Sequence, residues 1–493
     1  MSHERDAFWQ RLVFFAGEQP QKIALWGSGL KLDYGTLLAE VGLHRQLLRD
    51  SSAKVVALIL DNGPAALIWD LAILFEGVSC ITLPPFFSAT QRQHCLEQSR
   101  ADLVIAEPVY DVELQAVGYE RSGQFWQRTF TTSGNMPPDT AKLTFTSGTT
   151  GTPKGVCLSA ESILTVAREL YEVSSPVKPD HHLTLLPLAI LLENIGCYAA
   201  LYAGATLSLV APQVMGINGV SSVDTPRLLA YLTQRRPDSM ILVPQLLLLL
   251  VMACEMRAFD ASVLRFVAVG GARVSLELLL RAQAAGIPIH EGYGLSECAS
   301  VVALNRPDAY RPGSVGKPLP HVQVQLAEDG EILIGGVPML GYLGDTPPAD
   351  YWWPTGDVGE FDDDGYLYLK GRKKHQFVTS FSRNVNPEWV EAELTQSGQI
   401  AQAFVYGEAM AHNHALLSPH HPATTDQQLE ATVKRANLAL PDYAQIHTWT
   451  RLEQPFSTAN GLATANGRPC REAILKHYSH HFISSDKAEA IQS

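Results

Sequence analysis

Short apolar runs alternate with amphipathic stretches along the first two thirds of the chain. Between residues 54 and 83, an apolar run at 55–60 is followed by a helix-like stretch at 65–76 and a second apolar run at 78–83. This rhythm is typical of parallel α/β units. It recurs at residues 183–209, 238–256 and 264–289. The pattern therefore predicts layered α/β subdomains.

The pattern changes after Gly313 to short alternating segments separated by turn residues. Examples are residues 330–336 and 364–369, each of which contains glycine next to alternating apolar positions. Such segments are typical of antiparallel hairpins or a small barrel. We therefore expect a small β-barrel-like subdomain to complete a large N-terminal domain of residues 1–372.

A third pattern begins beyond Gly371. Helix-like stretches and one strand-like run follow each other at residues 387–395, 401–406 and 425–437. These elements are enough for a separate α+β domain of about 120 residues. The predicted fold class is α/β, with a small α+β C-terminal domain at residues 373–493.

Composition and charge exclude several classes of function. The chain is 46% hydrophobic and 18% charged, which is typical of a globular protein. Its net charge of -13 disfavours nucleic acid as a partner. Seven cysteines without C-x-x-C spacing suit reduced thiols. We expect a cytoplasmic protein, because no secretion signal is evident at the N-terminus.

The most apolar run, at residues 240–253, contains a proline and a glutamine. It falls short of the roughly 18 residues that a membrane span requires. We interpret it as a buried helix and expect no integral membrane segment.

The stretch Leu143–Gly155 contains three glycines, several hydroxyl groups and one lysine after an apolar strand start. Such a loop can wrap polyphosphate, because glycines let backbone N–H groups converge while hydroxyls and Lys154 add donors and charge. It is not a P-loop, since Lys154 is followed by glycine rather than serine or threonine. A surface turn rich in small polar residues would have a similar composition.

The string Thr144-Phe-Thr-Ser-Gly-Thr-Thr-Gly-Thr-Pro-Lys-Gly resembles the phosphate loop of the adenylate-forming superfamily of acyl-CoA ligases, luciferases and peptide-synthetase adenylation domains. Further stretches occur in the order that this family requires, so the resemblance spans most of the chain. It implies a catalytic role for Lys154. It also implies that ATP is bound by Thr146, Ser147, Gly148, Thr149, Thr150 and Gly151.

The segment Glu291-Gly-Tyr-Gly-Leu-Ser-Glu resembles the family's Y-G-x-T-E motif, with serine in place of threonine. The resemblance implies that Tyr293 lies against adenine, that Ser296 meets the α-phosphate and that Glu297 holds Mg²⁺. A carboxylate is the hard oxygen ligand that magnesium prefers. The same nucleotide site is expected to include Glu291, Gly292 and Gly294.

Two more stretches complete the predicted nucleotide site. In Trp353-Pro-Thr-Gly-Asp-Val-Gly and the glycine-rich segment after it, the resemblance implies that Asp357 accepts hydrogen bonds from the ribose hydroxyls and that Arg372 assists. In Gly270-Gly-Ala-Arg, it implies that Gly271 and Ala272 keep the backbone close to adenine. Without the resemblance, a turn or a tightly packed strand end would explain these stretches.

Residues 186–194 are similar to the L-P-L-x-H-x-x-E segment of long-chain acyl-CoA ligases. Histidine is expected where Ile190 stands, so the aromatic gate of the acyl tunnel is altered. Glu193 is retained, and the resemblance makes it a candidate second magnesium contact. The start of an internal helix would explain the segment equally well.

Residues 371–380 resemble the G-R-K-K-x-x-x-V-T-S hinge of the long-chain ligase branch. The resemblance makes Lys374 the pivot of a mobile C-terminal domain and places it in the nucleotide site. Beyond the hinge, Phe381 and Ser382 stand where the family has two glycines, which should narrow the approach of a pantetheine thiol.

Residues 456–468 keep the register of the long-chain branch near its C-terminus, with one difference at the catalytic position. Arg468 stands where the adenylation lysine is expected. Arginine keeps the positive charge but replaces a compact ammonium with a planar fork. We assign it the catalytic role of that lysine.

These features predict ATP- and Mg²⁺-dependent activation of a medium- or long-chain fatty acid to acyl-AMP, followed by transfer to CoA. One alternative is an acyl-AMP ligase that loads a holo acyl carrier protein, favoured by Phe381 and Ser382. Another is a non-catalytic nucleotide- or acyl-binding relative, favoured by Arg468 and Ile190.

Overall fold

A computed structural model describes residues 3–27, 29–131, 135–146, 154–218, 222–336, 339–345, 351–464 and 467–479. The helices within these ranges are α1 His3–Glu18, α2 Tyr34–Ser51, α3 Pro64–Glu76, α4 Ala89–Ser99, α5 Asp111–Ala116, α6 Ala160–Ser174, α7 Leu191–Tyr202, α8 Thr225–Arg235, α9 Pro244–Glu255, α10 Leu276–Ala284, α11 Pro387–Thr395, α12 Asp426–Leu438 and α13 Arg471–His477.

The strands of the described ranges are β1 Ile23–Gly27, β2 Leu30–Asp33, β3 Val55–Ile59, β4 Ser79–Thr82, β5 Leu103–Ala106, β6 Glu120–Ser122, β7 Phe125–Gln127, β8 Thr140–Thr146, β9 Lys154–Ser159, β10 His181–Leu183, β11 Thr206–Ser208, β12 Ile217–Asn218, β13 Ser222–Val223, β14 Ser239–Leu242, β15 Phe266–Val269, β16 Ile289–Tyr293, β17 Ala303–Leu304, β18 Lys317–Pro318, β19 Gln323–Leu326, β20 Glu331–Gly335, β21 Gly341–Tyr342, β22 Trp353–Phe361, β23 Leu367–Arg372, β24 Phe377–Val378, β25 Asn384–Val385, β26 Ile400–Tyr406, β27 Asn413–Pro419 and β28 Ile446–Arg451.

Two large mixed sheets form the first part of the molecule. One has eight strands in the order β21-β9-β8-β4-β3-β5-β7-β6, and the other has nine in the order β18-β17-β16-β15-β14-β10-β11-β1-β2. Their central strands are parallel and their edge strands antiparallel, as the recurring strand–helix–strand pattern predicted.

Helix α3 lies between the two sheets and contacts β1 of one sheet and β3 and β4 of the other. It begins with Pro64 at its first position, ends at Glu76 and is capped by Gly77, which adopts φ +79°. Almost every residue of the helix is buried, as expected for a helix that is apolar on all sides.

An ion pair is sealed within this layer. Lys142 Nζ on β8 lies 2.7 Å from Asp70 Oδ1 on α3, and it donates to Tyr198 Oη on α7 at 3.2 Å. Asn194 Nδ2 donates to Asp70 Oδ2 at 2.8 Å, and Tyr198 donates to the same oxygen. These contacts join the eight-stranded sheet to two helices.

The hairpin-rich region after Gly313 forms a four-stranded antiparallel sheet in the order β19-β20-β22-β23. The last part of the chain forms a three-stranded sheet in the order β26-β27-β28, with α11 and α12 packed beside it. The two helices and the strand predicted at residues 387–437 are confirmed to within a residue at each end.

The interpretation of residues 240–253 as one buried helix was wrong at its start. Met240 to Leu242 belong to β14, which pairs in parallel with β10 and β15. Helix α9 begins only at Pro244. Proline fits the first helical position, whereas inside a helix it would lack the backbone N–H that donates to the carbonyl four residues earlier. Among the described residues, no helix is long and apolar enough to cross a bilayer.

Candidate functional site

Two adjacent parallel strands bring several predicted nucleotide residues to one edge of the nine-stranded sheet. Val267 of β15 pairs with Ile289 of β16, and Val269 pairs with Glu291. Because both strands run in the same direction, the segment after β15 and the segment after β16 emerge side by side. Gly271 and Tyr293 are therefore neighbours at this edge.

Asp357 lies at the centre of a cluster formed with Tyr293 and Arg372. Asp357 and Arg372 are register partners on β22 and β23, and Arg372 Nε lies 2.9 Å from Asp357 Oδ1. Tyr293 donates its hydroxyl to Asp357 Oδ2 at 2.7 Å. Burial raises the pKa of Asp357, and the charge of Arg372 opposes that rise. The structure thus unites the predicted ribose, adenine and supporting residues.

Arg468 reaches this edge from the far end of the chain. Its Nη2 donates to the carbonyl oxygen of Gly271 at 2.6 Å. Gly271 has φ +81°, a conformation that favours glycine, and the neighbouring Ala272 is exposed. Loss of solvent around the guanidinium and the nearby charge of Arg372 lower the pKa of Arg468.

Glu291 and Gly294 stand on either side of Tyr293 in the sequence and constrain the backbone there. Glu291 is buried and accepts a hydrogen bond from the backbone of Val274, while its Oε2 has no hydrogen-bond partner among the described residues. Burial raises the pKa of Glu291 to about 8, against the lowering effect of Arg273. A Cβ at Gly294 would lie 1.7 Å from the carbonyl oxygen of Ser300, so only glycine fits there.

Glu297 and Lys154 meet at Tyr342, which the sequence analysis missed. Tyr342 donates to Glu297 Oε1 at 2.9 Å, and Lys154 Nζ lies 5.5 Å from the centroid of the tyrosine ring. Tyr342 is placed there because β21 pairs with β9, which begins at Lys154. The proximity of Tyr342 to these residues carries no local sequence signal, since Tyr342 lies 45 positions after Glu297 and nearly 190 positions after Lys154.

Glu297 suits a magnesium ion, because it is a partly exposed carboxylate that shares its Tyr342 neighbour with Lys154 of the predicted phosphate loop. Ser296, the predicted α-phosphate contact, is half-buried at the start of a 3₁₀ turn that also contains Glu297. Gly292, which is also predicted to lie in the nucleotide site, is the register partner of Leu304 on β17.

The predicted phosphate loop is only partly described. Thr146 is the register partner of Lys154 at the ends of β8 and β9. The assignments to Ser147, Gly148, Thr149, Thr150 and Gly151 lie outside the described residues.

Glu193 lies in the core rather than at an accessible edge. It is 0% exposed, its Oε1 lies 3.2 Å from His182 Nε2, and its Oε2 accepts from the Leu186 backbone N–H at 3.1 Å. Burial raises the pKa of its carboxyl. Both carboxylate oxygens of Glu193 are thus engaged by other groups of the protein. The second magnesium contact stays a prediction, and this geometry does not support it.

Lys374 lines a cleft of about 400 Å³ next to Arg372. Desolvation and the charge of Arg372 lower the pKa of its ammonium group. The neighbouring Lys373 is instead engaged by Asp329 and Glu331. The cleft is completed by Glu331, Pro354, Thr355 and Gly356.

Comparison with known proteins identifies the family of the chain. A family model described as AMP-binding enzyme matches residues 14–343, and a model of the AMP-binding enzyme C-terminal domain matches residues 374–484. The long-chain-fatty-acid–CoA ligase FadD15 of Mycobacterium bovis is 28% identical over 422 residues, which cover 69% of this chain and 68% of that protein.

Solved structures share the fold. The anthranilate CoA ligase AuaEII in complex with anthranoyl-AMP has a TM-score of 0.80 at 17% identity, covering 95% of this chain and 96% of that chain. O-succinylbenzoate coenzyme A synthetase from Bacillus subtilis, in complex with ATP and magnesium ion, has a TM-score of 0.73 at 22% identity, covering 94% of this chain and 98% of that chain. The predicted α/β fold class is confirmed. Since the first family model covers well over half of its residues, the chain belongs to the AMP-binding enzyme family.

Proposed function

We propose that the chain is an ATP- and Mg²⁺-dependent acid–thiol ligase that activates a medium- or long-chain fatty acid as acyl-AMP and transfers the acyl group to CoA. The observation that carries this proposal is the meeting of Arg468 with Gly271 beside the Asp357–Tyr293–Arg372 cluster. A cation from the C-terminal part of the chain therefore lies beside the residues that would bind the nucleotide.

The chemistry requires two steps. A fatty acid carboxylate oxygen attacks the α-phosphorus of ATP, a bond to that phosphorus forms, and pyrophosphate leaves with the electron pair of the broken P–O bond. The thiol sulfur then attacks the acyl carbon and AMP leaves, which yields the thioester and releases the thiol proton. Neither step needs a protein nucleophile.

The residues of the chain act by positioning and by electrostatic stabilisation. Asp357 accepts hydrogen bonds from the ribose, and Tyr293 and Arg372 hold its carboxylate in place. Glu297 would hold Mg²⁺, which when bound would supply positive charge to the phosphates. Lys154, Lys374 and Arg468 supply positive charge around the phosphates. These roles form part of the proposal.

Three arguments bear on the substrate and the acceptor. Fatty acids are supported by the similarity to FadD15 and by the hinge at Lys374. Aromatic acids are the substrates in the names of other relatives, such as the indoleacetate–CoA ligase of Aromatoleum aromaticum. A carrier protein in place of CoA is favoured by Phe381, which is 70% exposed, and by Ser382, whose φ is +56° at a position where the family has glycine.

The test measures pyrophosphate release from the purified protein with ATP and Mg²⁺, against a panel of fatty and aromatic acids, with and without CoA. We expect release to depend on medium- or long-chain fatty acids and acyl-CoA to form when CoA is present. The matched variant Glu297→Gln should lose release by at least about 100-fold, because it removes the proposed metal ligand.

Each other outcome replaces part of the proposal. Release with aromatic acids alone would reassign the substrate. Trapping of the activated acid by hydroxylamine, together with acylation of a holo carrier protein but not of CoA, would reassign the acceptor. The absence of acid-dependent release with every acid would favour a non-catalytic binding protein.

A further inference from the structure

The segment Gly270–Ser275, which we call the adenine-side loop, connects β15 to α10. Residues from the C-terminal part of the chain contact it at both ends. Arg468 Nη2 donates to Gly271 O at 2.6 Å, and Ser275 Oγ donates to Gln396 Oε1 at 2.7 Å. Two separate segments, just after α11 and just before α13, therefore reach the same short loop.

The contact at Gln396 is buried and firmly supported. Gln396 and Ser275 are 7% and 4% exposed. Gln396 Nε2 donates to Glu393 Oε2 at 2.9 Å, and its backbone carbonyl accepts from Arg281 Nη1 at 3.1 Å. Because the amide is fixed on both sides, its oxygen is held towards Ser275.

Close packing surrounds this contact. Arg281 is itself fixed by a bidentate pair with Glu255, with both N–O distances at 2.9 Å. Gly398, two residues after Gln396, has φ +75°, and a Cβ there would lie 3.2 Å from Met252 Sδ. The end of α11 is thus seated against α9 and α10 with little room for displacement.

The middle of the loop is joined to the nucleotide cluster. Arg273 Nη1 donates to Leu369 O at 3.0 Å on β23, the strand that carries Arg372. Val274 donates its backbone N–H to Glu291, two residues before Tyr293. A displacement of the loop would therefore be transmitted to β23 and β16, the strands that carry Arg372 and Tyr293, the two partners of Asp357.

We propose that Gln396 and Arg468 are two latches through which the C-terminal domain positions the adenine-side loop, so that domain placement and nucleotide binding are coupled. Gln396 is a positioning residue, since it acts through Ser275 and touches no predicted substrate atom. The kinetic part of this inference rests on the proposed function, whereas the structural part does not.

Two roles of one side chain, binding the loop and carrying a charge near Asp357, explain the arginine at position 468. A guanidinium carries five N–H donors, so one can bind the Gly271 carbonyl while others remain directed elsewhere. A lysine ammonium is a compact point charge with three donors and a different reach. The arginine can thus latch the loop and retain a positive charge beside Asp357.

The test compares Gln396→Met, Arg468→Met and the double variant by hydrogen exchange of peptides that span the adenine-side loop. We expect exchange of the loop to rise about 10-fold in each single variant, the equivalent of one lost hydrogen bond, and further in the double variant. Gln402→Met is the matched control. Gln402 Nε2 donates to Phe456 O and Gln402 Oε1 accepts from the Phe456 N–H, both within the C-terminal part of the chain. Neither hydrogen bond involves the loop.

Kinetics form the second readout. Gln396→Met should raise the KM for ATP about 10-fold while kcat changes by less than about 2-fold, because the latch acts on nucleotide binding. Gln402→Met should change neither constant.

The outcomes separate the latch from the proposed function. Unchanged loop exchange in both single variants, or an equal rise in Gln402→Met, would overturn the latch. Faster loop exchange with an unchanged KM would overturn its coupling to the nucleotide. If the wild-type protein turns over no acid but loop exchange still rises as expected, the latch stands and the proposed function fails.

Discussion

Two clusters in this protein use the same three kinds of side chain in opposite settings. In the core cluster, Asp70 binds Lys142 and Tyr198, and the side chains of the ion pair are each 3% exposed. In the site cluster, Asp357 binds Arg372 and Tyr293, and these ion-paired side chains are 11% and 38% exposed. In both, a tyrosine hydroxyl donates to the carboxylate.

The difference lies in how completely each cluster satisfies itself. Lys142 has three N–H donors and three partners, namely Asp70, Asn194 and Tyr198. Burial opposes ionisation of Asp70, yet Lys142 and the neighbouring donors hold the pKa of its carboxyl below the ordinary value. The core cluster is sealed, and its groups are committed to one another.

The site cluster has an open side. Burial raises the pKa of Asp357, and Arg372 remains partly accessible beside the cleft that contains Lys374. A ligand hydroxyl can there replace a protein group that donates to Asp357, while the Arg372 guanidinium keeps its contact with water. Accessibility, rather than residue type, therefore distinguishes the sealed core ion pair from the ion pair of the proposed nucleotide site.

The largest effect is expected in the core cluster. Lys142→Met should lower the free energy of unfolding by about 3–5 kcal/mol, because Asp70 would remain buried without a counter-charge. Urea denaturation followed by circular dichroism measures this change. The control is Lys370→Met, whose exposed pair with Glu360 should cost less than about 1 kcal/mol. Equal losses in the two variants would show that the core cluster is not stabilising.

An intermediate effect is expected in the site cluster. Asp357→Asn should raise the KM for ATP about 10- to 100-fold, because an amide replaces a charged acceptor. Its unfolding midpoint should stay near that of the wild type, since Arg372 is accessible to water. Glu360→Gln, on the same strand, is the control and should leave the KM unchanged. A large loss of stability without a change in KM would make Asp357 a structural residue.

The smallest effect concerns Glu291, which is buried on β16 two residues before Tyr293. Burial raises the pKa of Glu291 to about 8, so the folded state holds this proton more tightly than the unfolded state does. Its contribution to stability is complete below about pH 4.5 and is lost as the pH rises through about 8.

Between pH 7 and pH 9, the wild type should therefore lose roughly 1 kcal/mol relative to Glu291→Gln. Thermal unfolding of both proteins across this range measures the difference. Parallel pH profiles of the two proteins would contradict the raised pKa.

Much of the fold could be predicted from periodicity, because the spacing of apolar residues reports the local backbone. The strand–helix–strand unit at residues 55–83 and the helix at Pro387–Thr395 are examples. At residues 240–253 the prediction of a single helix was wrong at its start, since a short buried strand and a buried helix are equally apolar. Only pairing with β10 and β15 separates them.

The sequence by itself determined the family resemblance and the residue types at the nucleotide site, because each motif is a contiguous string. The tertiary structure alone decided which residues meet. Tyr342 joins Glu297 to Lys154, Glu193 is enclosed in the core, and Arg468 binds Gly271, which lies 197 positions earlier in the chain. Such partners depend on how sheets and helices pack, and local periodicity carries no information about contacts between distant segments.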